Sequence, residues 1–91
     1  MPVSSVLLEM DRTQVAAALQ RAIDMLPGSD GEVTLDFSAV DRIDPGELKL
    51  IENLAGVAAE KSVKVVLRGV NVRIYKALKL ANLTGRFAFE K

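Results

Sequence analysis

Apolar residues recur along this chain with two spacings, and the spacing switches back and forth. From Val3 to Met10 the period is two, with Val6, Leu8 and Met10 on one side, which predicts a strand. Asp11 then offers a carboxylate to free helical N–H groups, and Gln14 stands three residues on, which predicts a capping box. Val15, Leu19, Ala22, Ile23 and Leu26 follow at helical spacing. Pro27-Gly28 should end that helix, and Ser29-Asp30-Gly31 should turn the chain. Glu32 to Ser38 returns to period two through Val33, Leu35 and Phe37. Val63 to Leu67 is nearly continuous in apolar residues, as in a strand covered on both faces. Asn71 should cap a third helix with Ile74, Ala77, Leu78 and Ala81 on one face, and Phe87 to Glu90 fits a last short strand. Strands alternating with helices predict an α/β fold with a mostly parallel sheet of about four strands and three helices packed on it. No repeat or linker interrupts residues 1–91, so one domain is expected.

The second helix carries two apolar rows. Asp44 is a good N-cap, Pro45 suits the first turn, and Glu47 completes an Asp-x-x-Glu box. At 100° per residue Leu48, Ile51, Ala55 and Ala59 form one row. Leu50, Leu54 and Val57 form another, roughly 160–180° away. A helix lying on one face of a sheet needs a single row, so the second must be covered by a sister helix or by a partner.

Composition narrows the chemistry. There is no cysteine and no histidine, which removes thiolate catalysis, disulfides, the commonest general base and the commonest zinc ligand. An enzymatic or nucleotide-binding role is disfavoured on that ground, and Pro45-Gly46-Glu47 is too little for a phosphate-cradling loop. Asp36, Asp41, Asp44 and Glu47 are hard-cation donors in type, but acids at strand ends and helix caps are ordinary, so no metal or cofactor is assigned. Net charge is zero, which argues against generic nucleic-acid binding, yet the charge is split. Residues 1–59 carry four basic and ten acidic side chains, and residues 60–91 carry eight and two. Arg73, Lys76 and Lys79 share one side of the third helix; a solvated face, lipid head groups or an acidic partner would each suit them. No apolar run reaches the roughly 20 residues of a membrane span and no signal-peptide pattern opens the chain, so a cytoplasmic location without membrane insertion is expected.

The order of these features resembles the STAS domain, a bacterial module found in anti-sigma factor antagonists and in sulfate-transporter tails. That family has an apolar strand ending in Asp, a loop, then D-S-[ST]-G-[LIV] opening a helix, then an apolar strand and a helix of the type V-x-x-x-L-x-x-x-G-L. Here the corresponding stretches are LDFSAVDRIDPGEL and VRIYKALKLANL, and the likeness runs from about Val6 to Phe87. Asn82 stands where the family has a helix-ending Gly, and Asn is the next-best residue for a left-handed cap.

Two departures bear on function. The family's phosphorylated hydroxyl residue corresponds to Gly46, which has no oxygen to modify. Pro45 replaces the preceding Ser, and Glu47 replaces the Gly. Glu47 either caps the helix or supplies a standing negative charge in place of phosphate. The family also has two strands before its first helix and this chain has room for one, which leaves an edge free for another chain, a second copy included. The resemblance implies a non-enzymatic docking module that is not switched by phosphorylation at residue 46. Its contact surface would comprise Asp41, Asp44, Pro45, Gly46, Glu47, Leu50, Leu54 and Val57. The implied partners are an anti-sigma factor, a kinase-like switch protein or a signalling-array component. The alternative is a subunit of an ABC-type lipid transporter, with the chain as its small cytoplasmic STAS subunit.

Overall fold

The computed structural model describes residues 5–11, 13–26 and 31–90. Its elements run β1 (Ser5–Glu9), α1 (Val15–Asp24), β2 (Glu32–Asp36), α2 (Pro45–Glu60), β3 (Lys64–Arg68), α3 (Val72–Leu80), a 3-10 turn (Thr84–Arg86) and β4 (Ala88–Glu90). The strands form one sheet in the order β1-β2-β3-β4, parallel throughout. Each crossover therefore steps the same way across the sheet. Right-handed connections then place all three helices on one face, with α2 in the middle of the layer.

Burial follows the register. Leu35 pairs with Leu67, Val33 pairs with Val65, and all four are buried on the helix face with Phe37 and Met10. The helices answer with Val15, Leu19 and Ala22 from α1, Ile51, Leu54, Ala55 and Ala58 from α2, and Ile74 and Leu78 from α3. The intervening row, Leu7-Thr34-Val66-Ala88, lies on the other face. Val66 is buried there but does not belong to the core cluster. The run Val65-Val66-Leu67 is buried without a break, as its sequence predicts.

Three expectations change. Asp11 does not cap α1. Its Oδ1 accepts from the Thr13 amide at 2.9 Å and the Thr13 hydroxyl at 2.8 Å, so it closes a turn ahead of the helix. The helix starts after Gln14, which makes no side-chain cap bond. On α2, Ala58 rather than Ala59 is buried. The two apolar rows of α2 are not opposite faces. Ile51, Leu54, Ala55 and Ala58 are the centre of one broad buried face, and Leu48 on one side and Leu50 and Val57 on the other are its half-buried margins. The turn expected at Pro27-Gly28, the start of the first strand at Val3 and the Val6 side chain lie outside the described residues and side chains.

The link from β3 to α3 needs a glycine. Gly69 has φ 69°, and a Cβ there would run into the Ser38 hydroxyl and backbone. Asn82, with φ 64°, takes the left-handed position expected after α3.

Candidate partner-docking surface

The start of α2 is built by reciprocal bonds. The Glu47 amide donates to Asp44 Oδ1 at 2.7 Å, and the Asp44 amide donates to Glu47 Oε1 at 2.9 Å. This is the capping box read from the sequence. Glu47 is thus engaged as a cap, the first of its two readings. Pro45 occupies the first turn, where its missing N–H costs nothing. Gly46 has ordinary helical space. A Cβ would meet only Asp44 Oδ1 at 3.4 Å, so the lack of a hydroxyl is not forced by crowding.

The loop before α2 is held from two sides. Val40 is buried in the core. Asn71, whose Oδ1 caps α3 by accepting from the Ile74 amide at 2.9 Å, also donates from Nδ2 to the Asp41 carbonyl at 2.7 Å and to Val40 O at 3.4 Å. One side chain therefore fixes the start of α3 and the approach to α2. Arg73 meets Asp41 Oδ2 at 3.2 Å, but both side chains are well exposed, so the pair adds little rigidity. At the head of this loop the Asp36 carboxylate accepts from the Ser38 hydroxyl at 2.5 Å and the Ser38 amide at 2.8 Å. Above all the hydroxyl bond, then the amide bond, hold its pKa below the usual aspartate value.

Two depressions flank the first turn of α2. One is polar and is lined by Thr13, Asp41, Arg42, Ile43, Asp44 and Glu47. The other is mainly apolar and runs between α2 and the end of α3, lined by Ile43, Pro45, Leu48, Ala77, Leu80 and Ala81, with Asp44 at its edge. Of the contact residues expected from sequence, Asp41, Asp44, Pro45, Gly46 and Glu47 come together here, all exposed except the half-buried Glu47. The other three part company with them. Leu54 is fully buried, and Leu50 and Val57 pack against the core. Val57 lines a shallow groove with Gln20 and Ile23 of α1, so the sister helix covers this margin. Leu54 is therefore core, not docking surface. The wall supplied by α3, Ala77-Leu80-Ala81, was not read from the sequence. Its signal was Leu80, which sits off the buried face of α3 at 90% exposure. Among the described residues no group of acids is placed to hold a metal ion. No helix among them is long and apolar enough to cross a membrane.

Solved structures share this fold. A sulfate transporter family protein of Wolinella succinogenes superposes with a TM-score of 0.77 over 98% of this chain and 79% of that one, at 20% identity. A candidate anti-sigma factor antagonist of Thermotoga maritima does so with a TM-score of 0.70 over 100% of this chain and 75% of that one, also at 20% identity. At such identities the likeness is one of fold. In sequence, the intermembrane phospholipid transport system binding protein MlaB of Escherichia coli is 40% identical over 53 residues. That stretch is 58% of this chain and spans about half, 55%, of the relative's length. Modules of this kind bind other proteins and are not enzymes. The family model described as MlaB, STAS domain matches residues 3–89, nearly the whole sequence, and the chain belongs to that family.

Proposed function

We propose that this chain is the small cytoplasmic STAS subunit of an ABC-type lipid transporter, and that it docks on a transporter subunit through the first turn of α2 and the apolar depression beside it. The observation that carries this reading is the family match over residues 3–89, supported by the 40% identity to a phospholipid transport binding protein. An anti-sigma factor role rests on likeness of fold alone, so the transporter reading takes precedence over it. The local geometry suits docking. A first turn held by a capping box offers exposed Pro45 and Gly46, with apolar Ile43 and Leu48 on one side and the acids Asp41 and Asp44 around them. A preformed surface of this kind costs little ordering on binding. Residues 44–48 hold no hydroxyl, so the contact is constitutive with respect to phosphorylation there.

The test is co-expression with the ATPase and permease subunits of a phospholipid ABC transporter from the same genome. Copurification of the complex is expected. Gly46→Arg puts a long cation on the exposed turn and is expected to abolish copurification while leaving the melting temperature of the isolated chain unchanged. A complex that survives Gly46→Arg places the contact elsewhere. Absence of any complex with the wild-type chain overturns the transporter reading.

A further inference from the structure

The outer face of α3 carries a second feature, separate from the first turn of α2. Six residues point away from the sheet around its solvent side: Val72, Arg73, Tyr75, Lys76, Lys79 and Leu80, all exposed. Three are basic, three are apolar, and none is acidic. Val72 is 69% exposed and Leu80 is 90% exposed. Tyr75 stands edge-on to Phe89 of β4, ring centroids 5.3 Å apart, and both rings are exposed as well. A shallow depression lined by Gly69, Val70, Asn71, Val72, Tyr75 and Phe89 lies beside them. Isolated apolar residues on a surface need no explanation, but a cluster on one helix face interleaved with cations does.

We infer that this face is a docking strip for an acidic, amphipathic segment of a partner protein, whose apolar side chains rest on Val72, Tyr75 and Leu80 while its carboxylates meet Lys76 and Lys79. Charge complementarity selects the occupant. The strip is wholly cationic apart from its apolar residues, and the Arg73 guanidinium is already shared with Asp41. Its width selects a chain over a bilayer. Glu90 borders the strip beside Phe89, and Asp41 and Asp44 border it on the side of α2. A flat anionic membrane pressed on α3 would bring its head groups against those acids. A single extended or helical segment lies between them. The inference does not depend on the transporter reading, because Val72, Tyr75, Lys76 and Lys79 take no part in the α2 turn or the depression beside it; only Leu80 adjoins both.

The experiment is selection of a random 12-residue peptide library displayed on phage against the whole chain. The selected peptides are then measured by fluorescence anisotropy. Net-negative peptides with two or more apolar residues are expected. Their Kd should rise at least about tenfold in the Lys76→Glu, Lys79→Glu double variant and also in Val72→Ser, with weakening in high salt. Gly46→Arg should leave that Kd unchanged, which separates this strip from the α2 surface. Thermal melts establish that the variants remain folded, as substitutions at exposed sites permit. Selected peptides that are neutral or basic, binding indifferent to the double variant, or no selection at all overturns the inference. So does co-sedimentation with vesicles of 30% anionic phosphatidylglycerol in phosphatidylcholine that is lost in the double variant, which would make the strip a lipid contact.

Discussion

Helices α2 and α3 begin in the same way and finish in different surroundings. Each has an extended N-cap residue whose side chain accepts from the amide three positions on, Asp44 to Glu47 and Asn71 to Ile74. Each lies on the same face of the sheet. Yet α2 buries a broad arc of its circumference, and α3 buries Ile74 and Leu78 while leaving Val72, Tyr75 and Leu80 open. The cause is place in the layer. Strand order puts α2 between two sister helices, so both margins of its apolar face are half-buried, Val57 against α1 and Leu48 facing α3 across a depression. Helix α3 is last in the layer and has a neighbour on one side only, so Val72 and Tyr75 on its outer margin stay open, while Leu80 stands at the depression that separates α3 from α2. Apolar residues at a helix margin are therefore packing in the middle of the layer and surface at its end.

The strongest way to break this comparison is to place the same charge on each helix. Leu54→Lys buries an ammonium in the core and is expected to cost about 3–5 kcal/mol or more, enough to unfold a domain of this size. Leu80→Lys is expected to change stability by no more than about 0.5 kcal/mol. Urea denaturation of both variants checks the pair. A folded Leu54→Lys protein would show that α1 does not cover α2.

That pair also marks where the sequence stops being readable. The elements, both helix caps and the parallel order of secondary structures were legible, because periodicity and capping are local. The cap at Asp11 failed because a local competitor two residues on, Thr13, supplies both an amide and a hydroxyl to the same carboxylate. The fate of Leu50, Leu54 and Val57 was not legible in principle. Their spacing says that something covers them, and only the sheet order says that it is α1. The capping box of Asp44 and Glu47 was legible because capping residues declare themselves, and the family resemblance is what pointed to a contact surface around it. The α3 wall of the depression was missed because Ala77 and Ala81 read as core, and nothing in the spacing of Leu80 ties it to α2.

A smaller effect separates the two caps. Asp44→Ala removes one acceptor and is expected to cost about 0.5–2 kcal/mol. Asn71→Ala removes an acceptor of the same kind and also the Nδ2 donation to the Asp41 carbonyl, so it is expected to cost about 1 kcal/mol more. Asn71→Asp keeps the acceptor and loses the donor, and should fall between wild type and Asn71→Ala. Denaturant midpoints of the three variants check the ranking. Equal losses for Asp44→Ala and Asn71→Ala would mean that the tie between α3 and the loop contributes nothing.

The polar side of α2 should respond in the opposite direction. Gly56 lies in mid-helix, and a Cβ there meets nothing within 4 Å. Gly56→Ala is expected to stabilise the fold by about 0.5–1 kcal/mol, through lower entropy of the unfolded chain. A loss of stability would show that this side of α2 is more crowded than its exposure implies.

The smallest effect concerns the turn that serves both helices. Ser38 leads from β2 toward α2 and lies against Gly69, which leads into α3. Its hydroxyl is the largest cause holding the Asp36 carboxyl below the ordinary aspartate value; its amide adds to this, Arg68 adds less, and desolvation opposes them. A carboxyl with a depressed folded pKa binds fewer protons in the native state than in the unfolded chain. Its contribution is therefore present above the unfolded value, about 3.9, and is lost as pH falls through the lower folded value. Ser38→Ala removes the leading cause. The variant is expected to be less stable than wild type near neutral pH, and the gap should close as pH falls below about 4. Urea midpoints measured between neutral and strongly acidic pH, beside carboxyl titration of Asp36 by NMR, check both halves. A gap that stays constant with pH would show that Ser38 stabilises the turn through packing rather than through the carboxylate.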